Sequence, residues 1–144
     1  MQSHINSMVN IGDKFTEHFV VSKSIQEGFI SMFGDRHRLH TDAPYAIARG
    51  FRSEVMHGNI LNGFLSYFVG MCFPVPEVII LSQEIKFQRP VYLDDKLALE
   101  VVIHDVHHSV NVVELSCKFR NVADNKTVAS AKVSVGETSV SREI

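Results

Sequence analysis

The most constraining stretch of this chain is Asn59-Ile-Leu-Asn-Gly-Phe-Leu-Ser-Tyr-Phe-Val-Gly-Met-Cys-Phe73, closed by Pro74. Gly58 or Asn59 can cap its start and Pro74 marks its end, which predicts a helix over 59–73. Ile60, Leu61, Phe64, Leu65, Phe68, Val69 and Cys72 cover most of the circumference of that helix. With so little polar surface left for water, other elements are expected to wrap it on nearly all sides.

The wrapping material follows directly. Segments 78–89, 96–107, 110–121 and 127–137 are rich in Val, Ile, Leu and Phe and read as strands. Turn-forming breaks separate them at Asp94-Asp95, His107-His108-Ser109 and Ala123-Asp-Asn-Lys126. Such short connections favour an antiparallel meander. Ahead of the helix, Phe15, Phe19 and Val21 alternate in a further strand over 14–21. Ser24-Ile-Gln-Glu27 has the form of a capping box, opening a short helix that stops near Gly34. Residues 1–12 read as a loosely held, flexible arm. The expectation is one α+β domain over 1–144, an antiparallel sheet wrapped around a long central helix.

Composition narrows the function. The 144 residues carry a net charge of −2 with both signs interspersed, against the basic footprint that a nucleic-acid partner requires. The most apolar run, 60–79, is broken by Asn62, Gly63, Ser66, Gly70, two prolines and Glu77, so no membrane span is expected. The first fifteen residues lack the apolar core of a signal peptide. Cys72 and Cys117 have no Cys-x-x-Cys spacing and read as two reduced, buried thiols. A cytoplasmic protein is the expectation.

One segment does not fit a purely structural reading. From 35 to 56 the chain is irregular and rich in His, Arg and Asp, with a helical turn expected around 44–50 for which Asp42 is a suitable cap; loops this long in compact domains usually carry function. It begins Phe33-Gly-Asp-Arg-His-Arg-Leu-His-Thr-Asp42, and seventeen residues after His40 comes His57-Gly58 at the start of the apolar helix. Together these resemble the signature of the MaoC-like (R)-specific enoyl-CoA hydratase/dehydratase family, Gly-Asp-x-Asn-Pro-x-His-x-Asp followed by His-Gly. His37 and Arg38 stand where that signature has Asn and Pro. The likeness runs from about Asp13 to Gly136 and includes Phe87-Gln-Arg-Pro-Val-Tyr-Leu-Asp-Asp95.

The resemblance implies a hot-dog fold and reversible hydration of a trans-2-enoyl thioester, carried by coenzyme A or an acyl carrier protein, to the 3-hydroxyacyl thioester. It places Asp35 and His40 as the catalytic pair and the Gly58 amide as donor to the thioester oxygen. His37 takes the position of an Asn that in several members holds the reactive water, and Ser66 that of a further site residue. It also implies a homodimer, in which joined sheets hide edge strands.

The residue types suit that chemistry. An imidazole exchanges protons near neutrality, and a carboxylate beside it can orient the same water. The first amides of a helix lack intrahelical partners and favour developing negative charge, and glycine leaves the approach open. His57 is read as a positioning or packing residue beside the substrate. Arg36, Arg38 and Arg89 are candidates for the phosphates of the carrier. His104, His107 and His108 crowd one turn with poor ligand geometry, so no metal is expected, and the scheme requires no cofactor. Two other readings stay open: a hot-dog thioesterase, disfavoured because helix 59–73 holds no Asp or Glu, and a non-catalytic acyl-binding or assembly domain.

Overall fold

The structure, a computed structural model, describes residues 5–138. Its elements in chain order are α1 (Ile5–Met8), β1 (Lys14–Val20), α2 (Lys23–Phe33), α3 (Arg38–Thr41), α4 (Ala43–Ala48), α5 (Asn59–Tyr67), β2 (Val78–Phe87), β3 (Lys96–His107), β4 (Val112–Asn121) and β5 (Thr127–Glu137). A π-helical turn, Phe68–Cys72, continues α5 before Pro74 ends it.

The strands form one antiparallel sheet in the order β1-β3-β4-β5-β2. Period-2 alternation sends Leu97, Leu99, Val101 and Ile103 of β3 to the same buried side as Leu115, Cys117 and Phe119 of β4 and Ala131, Val133 and Val135 of β5. Against this face lie Ile60, Leu61, Phe64, Leu65, Phe68 and Val69, the apolar side of the central helix. Strands β3, β4 and β5 make the expected meander. β2 does not join β3: it pairs with β5 at the far edge, because β3 is already flanked by β1 and β4.

Four local expectations are corrected. The cap of α2 is Ser22, whose hydroxyl accepts from the Ile25 amide, two residues before the predicted start. Glu27 pairs with exposed Lys23 instead of closing a capping box. Segment 35–56 holds the short helix α3 as well as the predicted turn at α4. The central helix is not enclosed all round: Gly63, Ser66, Tyr67, Gly70 and Met71 face outward.

The N-terminal arm also departs from a loose tether. Residues 1–4 lie outside the described residues, but Ile5 and Val9 are buried in the core and the Ile5 amide donates to the buried Glu137 carboxylate. Gly12 N–H then donates to the Ile103 carbonyl. Two large apolar side chains at helical spacing had given this segment a surface to bury. Both cysteines are free thiols; burial raises Cys117 to about 12, as suits an inert core residue.

Candidate active site

Gly34 ends α2 in the left-handed region at φ 75°, where glycine carries no steric penalty. The chain there turns sharply and presents Asp35. One Asp35 carboxylate oxygen accepts from the His37 amide at 3.1 Å, and His37 Nδ1 in turn accepts from the Leu39 amide at 3.2 Å, capping α3. Arg38 grips Asp42 with Nε and Nη2 at 3.2 and 3.0 Å and lies over the Tyr45 ring. Asp42 also caps α4 through the Tyr45 amide, as the sequence suggested. The two residues that replace Asn and Pro of the signature therefore have definite work: one caps α3 and the other ties it to α4.

His40 sits on α3 and its ring is held from the other side of the loop. Nδ1 donates to the Val55 carbonyl at 2.6 Å, while the Val55 amide donates to the Leu39 carbonyl at 2.9 Å. Gln26 of α2 donates to the His40 carbonyl at 3.0 Å. With hydrogen on Nδ1, the lone pair of His40 resides on Nε2.

His57, only 3% exposed, joins the two halves. Its Nε2 donates to the Asp35 carbonyl oxygen at 2.9 Å and lies 3.9 Å from an Asp35 carboxylate oxygen. Its ring stacks on His40 with centroids 4.0 Å apart and contacts Phe29 at 4.5 Å. Ligating atoms of Asp35, His40 and His57 all fall within 4.8 Å of one another. Buried His57 Nδ1, the other ring nitrogen, has no hydrogen-bond partner among the described residues. Among the described residues a second ligand-like group, Asp105, His107 and Glu114, sits on the β3–β4 hairpin, where His107 lies near both carboxylates.

The His37 amide holds the Asp35 carboxyl below its ordinary range; partial desolvation opposes this, and His40, His57 and His37 lower it further. The side chain thus offers an anionic acceptor beside the His40 ring.

A cavity of about 390 Å³ opens on His40 and His57, lined also by Gly58, Phe87 and Arg89 among others. Gly58 is the first residue of the turn that becomes α5. A Cβ there would stand 2.8 Å from the Phe87 ring, so glycine leaves room for that ring where it lies. Arg89 borders the cavity, but its Nη1 donates to the Thr127 carbonyl at 2.6 Å. Ser66 is elsewhere, on the outward side of α5, and lines neither this cavity nor the neighbouring groove that includes Asp35.

Sequence reasoning thus named Asp35, His40, His57 and Gly58, which the fold brings together. It missed Phe29, Val55 and Phe87. Phe29 and Phe87 could have been suspected from apolar positions flanking the loop. Val55 acts through its carbonyl, for which a side chain gives no signal.

No family model matches the chain. Over 97 residues it is 27% identical to a 3-hydroxybutyryl-CoA dehydratase of Methylorubrum extorquens, covering 67% of this chain and 62% of that protein. Over 87 residues it is 30% identical to an (R)-specific enoyl-CoA hydratase of Rhodospirillum rubrum, covering 58% of this chain and 60% of the relative. The chain therefore spans about three fifths of the length of these two relatives. Its fold superposes on an unliganded R-hydratase from Pseudomonas aeruginosa with a TM-score of 0.83 and 26% identity, covering 93% of this chain and 86% of the other. The architecture is the hot-dog fold, and the likeness to (R)-hydratases and dehydratases read from 33–42 and His57-Gly58 is the one these comparisons return.

Proposed function

We propose that this chain adds water reversibly across the double bond of a trans-2-enoyl thioester, giving the (R)-3-hydroxyacyl thioester. The observation that carries the reading is that the Asp35 carboxylate lies beside the His40 ring, and that this ring lines a cavity that reaches Gly58. Asp35 and His40 Nε2 hold one water. As its oxygen bonds to C3, the pair takes one proton from it and delivers one to C2 of the same face, so that H and OH add across the double bond. Between those steps negative charge gathers on the thioester oxygen, which the Gly58 amide receives. No step in this scheme is assigned to Ser66, which faces away from the cavity. Arg89 and His37 remain candidates for the carrier arm and for the water.

The proposed thioester carrier is coenzyme A, which the names of both relatives carry, or an acyl carrier protein. A second copy of the chain is proposed to join along the outer edge of β2.

The test is incubation with crotonyl-coenzyme A, followed at the enoyl-thioester absorbance band with free thiol assayed in parallel. Loss of the band without thiol release, and an (R)-3-hydroxybutyryl product, is the expected result. Thiol release would instead identify a thioesterase, and no change over a chain-length series a binding domain.

A further inference from the structure

We infer that the groove between α2 and α5 takes the hydrocarbon tail of the substrate and makes the site selective for acyl chains well beyond four carbons. This rests on the hydratase reading, and deepens it by assigning a direction to the substrate.

The direction follows from which residues border which space. Gly58 and His40 line the smaller cavity and not the groove, whereas Asp35 lines the groove and not the cavity. Asn59 and Ile60, in the first turn of α5, belong to both and form the threshold between them. In a trans-2-enoyl thioester the carbonyl and the tail leave the double bond in opposite directions. With the carbonyl oxygen at Gly58 and C3 between Asp35 and His40, the sulfur arm lies in the cavity and the tail passes Asp35 into the groove.

The groove suits such an occupant. It measures about 750 Å³ against about 390 Å³ for the cavity, and Phe29, Met32 and Phe33 of α2 face Gly63 and Phe64 of α5 across it. Met32 is 72% and Phe33 69% exposed, a costly display of apolar surface at the very rim where a tail would cover it. A crotonyl group would place one methyl at the groove mouth and leave these side chains wet.

The experiment compares kcat/KM for trans-2-octenoyl-coenzyme A and crotonyl-coenzyme A in the wild-type protein, Gly63→Leu and Met32→Glu. A Cβ at Gly63 meets nothing within 4 Å, and leucine favours helix over glycine, so the first variant fills the groove without straining the fold. Met32 is exposed, so the second puts a charge in the groove at no cost to the core. At two- to fourfold for each of the four extra methylenes, the octenoyl-to-crotonyl ratio is expected at roughly 16 to 256 in wild type. It should fall about tenfold in both variants. A wild-type ratio near one, or a ratio unmoved in both variants, overturns the inference while leaving hydration intact. No turnover of either substrate by wild type overturns the hydratase reading, and the inference with it.

Discussion

The imidazoles of His40 and His57 stack with centroids 4.0 Å apart and planes inclined by 28°, while the His57 N–H reaches past to the Asp35 carbonyl. One buried side chain thereby fixes both members of the proposed pair, the first by its face and the second by its edge. Misplacement of a reacting group by about 1 Å can cost about a hundredfold in rate. His57→Phe retains a ring against His40 and loses the donor; His57→Leu loses both. Steady-state kinetics should show kcat lowered about tenfold by the first and about a hundredfold by the second, with KM changed far less. A change confined to KM would make His57 a substrate contact instead.

The close approach of Phe87 to Gly58 gives a steric prediction. Ala is acceptable at the φ of −58° found there, so Gly58→Ala should act through the 2.8 Å clash with the Phe87 ring and not through the backbone. We expect kcat/KM to fall at least about tenfold, and Gly58→Ala with Phe87→Ala to recover part of that loss. Strict additivity of the two changes in kinetic assays would show that the ring contact is irrelevant.

Asp42 links α3 to α4 by capping the Tyr45 amide and binding Arg38, and these two contacts, the amide first, depress its carboxyl below the ordinary 3.8. A depressed folded-state value stabilises the fold above the unfolded-state pKa and loses that contribution as pH falls through the folded one. Asp42→Ala should therefore melt a few degrees below wild type near neutrality. The gap in melting temperature should narrow once pH falls beneath about 4. A gap independent of pH would assign the effect to something other than the carboxylate.

Sidedness of the central helix is testable by stability alone. Leu65 is fully buried against the sheet and Met71, on the same helical run, is 74% exposed. Leu65→Ala should cost about 2–5 kcal/mol in denaturant unfolding. Met71→Ala should stay within about 0.5 kcal/mol. Comparable losses would mean that both sides of the helix are packed in solution, as a dimer through this face would produce.

Much of this was legible because it rests on periodicity and on chemically unusual residues. The strands Lys96–His107 and Thr127–Glu137 were bounded by turn residues that allow little else, and the Gly34 stop and Asp42 cap followed from local geometry. Asp35, His40 and His57-Gly58 stood out because a loop rich in ionisable groups has no packing reason to exist. What escaped was non-local. The placement of β2 beside β5 depends on which edges remain vacant after hairpins form, and the capping choice between Ser22 and Ser24 on how α2 meets the sheet. Ser66 shows the same limit: helical position alone does not say which side of α5 faces the cavity.

The account depends on Asp35 and His40 gripping one water, and single-turnover hydration of crotonyl-coenzyme A by Asp35→Asn and His40→Ala tests this most directly. Each change should lower the rate of hydration by about 10²–10⁴ while circular dichroism and melting remain those of a folded domain. Hydration by either folded variant at a rate close to wild type would contradict it.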